Sequence, residues 1–242
     1  QIAAGSADAI REQLAKNTCE EMNEAELIKL RHFYAQRDYQ PVWALRDDSG
    51  VLLDTALTFI GRADEEGLAS SDYHIETLRR WREESPDQDS LSLELGTTQS
   101  LLALVHDLSN CRLTDTLADP ERYIPQRRLD PVNFLQQSVA SADSAKQLEQ
   151  ALASLPPDMP QYHTLKRLLI RLRTLITTDM VWTRIPDDIP SIHPRTSHAA
   201  IPLIRQRIRE AHHIFEKPEY DIADDDSELY DDQLETAVKA FQ

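Results

Sequence analysis

Glycine and basic residues are both scarce in this sequence. Only 5 of the 242 residues are glycine, which leaves few sites for the tight turns of β-hairpins and argues against an all-β fold. Lys and Arg together number 26 against 42 Asp and Glu, so the formal net charge is −16. This charge argues against nucleic-acid binding, which requires clustered Lys and Arg, and against electrostatic docking to anionic lipid.

Long apolar segments and recognisable cysteine motifs are missing as well. No apolar run approaches the roughly 20 residues that a membrane-spanning helix needs. The opening "QIAAGSADAIREQ" lacks the basic and apolar regions of a signal peptide. The two cysteines, Cys19 and Cys111, fit no zinc or CxxC spacing. They are either separate buried thiols or one disulfide formed in an oxidising compartment, and the sequence leaves both open.

The usual cofactor and metal motifs are absent too. The sequence contains no GxGxxG, GxxxxGK[ST] or HExxH, and we therefore expect no cofactor. The acidic stretch 221–232 fails as an EF-hand loop, because position six counted from Asp224 is Leu229 rather than glycine. A loose group of histidines includes two adjacent residues that would diverge on a helix, so we expect no metal site there either. These histidines are His193, His198, His212 and His213.

What the sequence does contain is helical periodicity. Good helix formers dominate, and apolar residues recur at spacings of three and four, which predicts an all-α fold. The predicted helices cover residues 6–17, 23–37, 51–68, 70–84, 91–109, 133–155 with a break near Ser141, 161–178, 201–215 and 230–242. Aromatic residues at helix and turn positions are expected to be core anchors rather than a ligand platform. They are Tyr34, Tyr39, Trp43, Tyr73 and Trp81.

The domain organisation is indicated by a proline-rich stretch. Residues 184–198 carry three prolines and no periodicity, which is typical of a linker or domain boundary. We therefore expect a large helical domain over residues 1–195 and a smaller unit over residues 196–242.

Three stretches together resemble one family. The segment "FYAQRDYQPVW", residues 33–43, resembles a Tyr-x-x-Arg-x-Tyr-x-Pro-x-Trp signature near the start of the large YcbB-type L,D-transpeptidases of Gram-negative bacteria. "EEGLASSDYH", residues 65–74, resembles that family's Gly-Leu-x-x-x-Asp-Tyr turn, and "LPPDMPQYHTLKRLL", residues 155–169, its Pro-x-x-Tyr-x-x-Leu segment. The resemblance covers roughly residues 25–242 and implies that residues 1–195 are an N-terminal helical scaffold domain.

The last part of the chain resembles the start of a peptidoglycan-binding module. The resemblance implies that residues 196–242 are an incomplete three-helix unit and that the chain is the front portion of a longer protein. Its implied partners are peptidoglycan, bound through the completed module, and the catalytic domain of the parent. The matching residues are Ile204, Ile208, Tyr230, Asp231, Ala237, Val238, Phe241 and Gln242.

The resemblance implies a non-catalytic role for this part of the parent. The family's catalytic His and Ser-x-Gly-Cys stretch are absent, and neither Cys19 nor Cys111 matches them. No catalytic residue is therefore expected, and the ligand-binding residues are unknown. The implied parent is exported to the periplasm, with an inner-membrane anchor as an open alternative, and cross-links peptidoglycan peptides through a cysteine thioester.

Two other interpretations of the sequence remain open. One is a free-standing helical adaptor that binds wall or protein partners. The other is an enzyme that uses an acidic pair or Cys111, which has Arg112 beside it.

Overall fold

The predicted all-α fold is confirmed. A computed structural model describes residues 6–16, 24–43, 50–84, 90–110, 129–141, 144–177, 182–215, 222 and 225–241, except for the side chains of 177 and 212–215. Within these residues ten α-helices form and no strand does. The helices are α1 Ser6–Ala15, α2 Glu24–Ala35, α3 Gly50–Gly61, α4 Ile75–Glu84, α5 Ser90–Asn110, α6 Pro131–Ala140, α7 Ala145–Ala153, α8 Pro160–Thr177, α9 Ile201–Phe215 and α10 Asp232–Phe241.

Two predicted helices are shorter than the periodicity indicated. The helix predicted over residues 51–68 ends at Gly61 and is followed by a 3₁₀ turn, Ala63–Glu66, which Gly67 closes with a left-handed φ of 80°. The helix predicted over residues 70–84 is likewise a 3₁₀ turn, Ser70–Tyr73, followed by α4. His74 separates the two pieces because its left-handed φ of 54° cannot continue a helix.

The predicted break near Ser141 is confirmed, since α6 ends just before it and α7 starts at Ala145. The start of α6 differs from the prediction. Asp130 caps this helix by accepting from the backbone N–H groups of Val132 and Asn133, and Pro131 takes the first helical position, where a missing N–H costs nothing.

The described chain divides into two compact units, Gln1–Tyr162 and His163–Gln242. This division reflects internal packing, so the boundary after residue 195, expected from the proline-rich stretch, stays a prediction. In the first unit α5 is the central helix and packs against α1, α2, α3, α4 and α6. Gly96 permits the close approach of α4, because a Cβ there would lie 3.0 Å from Leu78 and 3.1 Å from Trp81.

The second unit has its own small core between α9 and α10. Ile201, Ile208, Leu234 and Ala237 are buried in it. Phe241, one of the residues that match the module signature, is 42% exposed. Residues 195–198 run antiparallel to residues 228–230, joined by backbone hydrogen bonds of 2.7–2.9 Å, so part of the proline-rich stretch is fixed to this unit.

Candidate functional site

The segment that carries the sequence signature starts in the last turn of α2, and the chain reverses direction after that helix. Asp38 and Tyr39 both have left-handed backbone, with φ of 51° and 59°, a conformation that is uncommon outside glycine. Arg37 holds this reversal, because its Nε donates to the Gln40 carbonyl oxygen at 2.7 Å. Its Nη1 donates to Gln136 Oε1 on α6 at 3.0 Å. Arg37, the arginine of the signature, thus links the turn to the neighbouring helix α6 by hydrogen bonds.

Beyond the turn, the segment is bonded to one buried carboxylate. Glu94 on α5 is completely buried. Its Oε1 accepts from the Val42 N–H at 2.6 Å and from the Tyr34 hydroxyl at 2.9 Å. Its Oε2 accepts from the Trp43 N–H at 2.8 Å. These bonds satisfy backbone donors that no helix satisfies, since Pro41 keeps this stretch irregular.

Thr98, one turn after Glu94 on α5, completes what we call the Glu94 network: Tyr34, Val42, Trp43, Glu94 and Thr98. Its Oγ1 accepts from the Trp43 indole Nε1 at 2.9 Å and lies 2.8 Å from the Tyr34 hydroxyl oxygen. Burial raises the pKa of Tyr34 well above its ordinary value, and the charge of Glu94 raises it further. The network therefore keeps a neutral phenol between a carboxylate and a hydroxyl.

A cleft among the described residues of the first unit is a candidate for binding a ligand. It has a volume of about 340 Å³ and lies where α2, the 3₁₀ turn Ser70–Tyr73 and α5 meet; we call it the α2–α5 cleft. Its lining combines apolar residues with side chains of both signs of charge. The lining residues are Ala25, Glu26, Lys29, Asp72, Tyr73, Gln99, Leu102, Ala103, His106 and Asp107.

Hydrogen bonds orient one side of the cleft. The Tyr73 hydroxyl donates to Asp107 Oδ2 at 2.8 Å, and His106 Nδ1 lies 3.2 Å from Asp107 Oδ1. Asp107 therefore holds a buried phenol and an imidazole in fixed positions. The charged and polar side chains of this lining suit the binding of a polar molecule.

The second unit contains a buried guanidinium. Arg205 on α9 is fully buried, and its Nη2 donates to the Leu229 carbonyl oxygen at 3.0 Å and to Asp231 Oδ2. Asp231 Oδ1 also accepts from the Leu234 N–H at 2.8 Å, which caps α10. The hydrogen bond from the Leu234 N–H lowers the pKa of Asp231 most, and the hydrogen bond and charge of Arg205 lower it further. Asp231, one of the residues that match the module signature, thus joins α9 to the start of α10.

The residues singled out in the sequence fall into several environments. Cys19 and Cys111 lie outside the described residues, so the disulfide and the reactive thiol stay predictions. The side chains of His212 and His213 also lie outside them. His193 and His198 flank the turn before α9, where His198 Nδ1 accepts from the Ala200 N–H at 3.0 Å.

The aromatic residues form part of the core, as predicted. Tyr34, Trp43 and Tyr73 are buried, and Tyr39 and Trp81 pack partly buried against the core of the first unit. Across the part of the chain that the structure describes, no group of three or more His, Cys, Asp or Glu side chains could hold a metal ion. None of the described helices combines the length and apolar character needed to cross a membrane.

Sequence reasoning did not single out Glu94 or most of the polar residues that line the α2–α5 cleft. Glu94 has a usable signal, because it is the lone acidic residue in the first three turns of a helix rich in leucine. A charge there requires hydrogen-bonding partners. The lining of the cleft has no such signal, since its residues come from segments far apart in sequence.

The fold and these sites define a helical body whose signature segment is used for internal bonding. Residues 28–169 match the Scaffold domain family. The match covers more than half of the chain, and the chain belongs to this family, whose description indicates a scaffold role. No curated protein and no solved structure matches the chain.

Proposed function

We propose that this chain is the non-catalytic front portion of a periplasmic L,D-transpeptidase of the YcbB type. In this proposal the first unit holds the catalytic domain of the parent, and the second unit contributes to docking on peptidoglycan. The parent would join peptidoglycan peptides by acyl transfer through a cysteine that lies outside this chain.

The observation that carries the proposal is the internal use of the signature. Arg37 braces the turn, while Tyr34 and Trp43 are buried in the Glu94 network. Side chains that are buried or hydrogen-bonded within the protein in this way stabilise a rigid body and are not available to contact a substrate. A rigid body is what a scaffold must supply to hold a second domain in a fixed orientation.

The catalytic part of the proposal is tested by mass spectrometry. We expect no covalent adduct when the chain is incubated with a carbapenem, because the sequence lacks the Ser-x-Gly-Cys stretch of the cysteine transpeptidases it resembles. A stoichiometric adduct that disappears in Cys111→Ala would contradict this and favour an enzyme that uses Cys111. Retention of the adduct in Cys111→Ala but not in Cys19→Ala would assign it to the other thiol.

The wall-docking part is tested by co-sedimentation with purified peptidoglycan sacculi. We expect the chain to sediment with sacculi and not with cellulose, an insoluble polysaccharide that lacks peptides. A chain that stays in the supernatant in both cases would remove the docking role and leave the scaffold role alone.

The free-standing adaptor is separated from this proposal by the mass of the native protein. A native protein with the mass of this chain alone favours the adaptor. A larger protein whose additional sequence contains the catalytic cysteine stretch supports the proposed parent.

A further inference from the structure

The α2–α5 cleft carries an arrangement of charges that the scaffold role does not require. Two of its charged residues come from α2, where Glu26 and Lys29 are three residues apart. Asp72 comes from the 3₁₀ turn before α4, and His106 and Asp107 come from α5. The cleft thus faces a bound molecule with carboxylates, one ammonium group and one imidazole.

Lys29 is the most informative of these residues. It is half-buried. Among the described residues, no carboxylate forms an ion pair with its Nζ. Glu26 is at the i−3 position, where an ion pair readily forms on a helix surface, and it does not pair with Lys29. Its ammonium group can therefore form a charge-assisted hydrogen bond with the carboxylate of a ligand.

A simple anion would nevertheless fit this cleft poorly. Three carboxylates line it, those of Glu26, Asp72 and Asp107, and they would repel a molecule that carries negative charge alone. Together they favour an ammonium group on the ligand. The nearby His106 has its Nδ1 placed against Asp107, which leaves Nε2 as the ring position for a ligand hydrogen bond.

The size and the apolar part of the lining limit the ligand further. Its volume of about 340 Å³ is at the lower end of the roughly 300–1,000 Å³ typical of small-molecule sites. Ala25, Leu102 and Ala103 add apolar surface to the lining, which suits a short chain of carbon atoms.

We propose that the α2–α5 cleft binds a small zwitterion, an amino acid or a short peptide with both ends free. Lys29 receives the ligand carboxylate, and Glu26 with Asp72 and Asp107 receives the ligand ammonium. This inference does not depend on the identity of the parent enzyme, because it rests only on the residues that line the cleft.

The test uses glycylglycine as the probe and the whole chain as the receptor. Isothermal titration calorimetry should give a dissociation constant of about 1 mM, as expected for so small a ligand. N-acetylglycylglycine lacks the ammonium group and glycylglycinamide lacks the carboxylate. Each should bind about tenfold more weakly, the factor expected when one charge-assisted hydrogen bond is lost.

Two variants locate the binding in the cleft. Lys29→Gln should weaken glycylglycine binding about tenfold, whereas Lys146→Gln makes the same change of charge at an exposed position of α7 and should leave it unchanged. The imidazole NMR signals of His106 should shift saturably with glycylglycine, while those of His163 on α8 should not. Circular dichroism of both variants checks that the fold is retained.

Three results would overturn the inference. They are equal binding of the free and blocked dipeptides, equal effects of Lys29→Gln and Lys146→Gln, and no saturable shift of the His106 signals at any soluble concentration of glycylglycine.

Discussion

Replacing Glu94 by glutamine tests whether the buried carboxylate holds the signature segment. The substitution keeps the size of the side chain and changes one oxygen into an NH₂ group. Glu94 Oε1 faces the Val42 N–H and Oε2 faces the Trp43 N–H. In either orientation of the amide, the new NH₂ group therefore points at a backbone N–H, and that N–H loses its acceptor.

The expected loss of stability follows from the hydrogen bond that is lost at this one position. A hydrogen bond to a charged group contributes about 1.5–3 kcal/mol, and a buried donor left without an acceptor costs about 1–3 kcal/mol more. We expect Glu94→Gln to lower the free energy of unfolding by about 3–5 kcal/mol, which corresponds to a fall in Tm of roughly 10 °C for a chain of this size.

The assay is thermal and urea unfolding followed by far-UV circular dichroism and tryptophan fluorescence. The matched control is Glu76→Gln on α4, whose side chain is 83% exposed, and we expect it to change stability by less than about 0.5 kcal/mol. If Glu94→Gln and Glu76→Gln melt at the same temperature, Glu94 does not fix the segment and the account of the signature is wrong.

Three further substitutions probe neighbouring features. Trp43→Ala removes a fully buried indole that donates to Thr98 and should cost about 3–5 kcal/mol in the same melts. Asp231→Asn should flatten the acid dependence of urea unfolding of the second unit. The pKa of Asp231 is lowered in the folded state, chiefly by the Leu234 N–H, so its stabilisation is present above the unfolded pKa of about 3.9 and is lost as pH falls through the folded pKa. Tyr34→Phe should reduce the loss of stability at high pH. The pKa of Tyr34 is raised in the folded state, so its stabilisation is complete below the unfolded pKa of about 10 and decreases as pH rises above it.

Each of these expectations has a contrary outcome. A Tm for Trp43→Ala within a degree or two of the parent would show that the indole is not a core anchor and would revive the ligand platform. Parallel acid-unfolding curves for Asp231→Asn and the parent would remove Asp231 as a cap. Parallel alkaline curves for Tyr34→Phe and the parent would mean that the phenol ionises without cost in the folded protein.

The helices were predictable because their apolar spacing reflects burial. Leu27, Leu30 and Tyr34 share a stripe of α2, and all three are buried. The break near Ser141 was readable for the same reason, since the periodicity is interrupted there. The split of the helix predicted over residues 70–84 was not readable, because His74 adopts a left-handed conformation that the surrounding packing selects and its own residue type does not announce.

The candidate sites were less predictable than the helices, and the cause is physical. Periodicity reports which face of one helix is buried, whereas the α2–α5 cleft depends on where separate elements meet. Glu26 and His106 are brought together only by the packing of α2 against α5. The signature at residues 33–43 includes three members of the Glu94 network, Tyr34, Val42 and Trp43. Glu94 itself lies outside every stretch that carried the resemblance.

Each unit uses a buried charged side chain to hydrogen-bond the backbone of an irregular segment, and the two charges have opposite signs. In the first, an irregular segment exposes backbone N–H groups to the core, and the Glu94 carboxylate accepts from two of them. In the second, the loop before α10 presents the Leu229 carbonyl oxygen, and the buried Arg205 guanidinium donates to it. A buried charge is costly unless its partners are in place, so each of these residues favours only the arrangement in which the irregular segment is correctly seated. In both of these places, a charged side chain on a helix supplies hydrogen bonds that the irregular backbone cannot make within a helix.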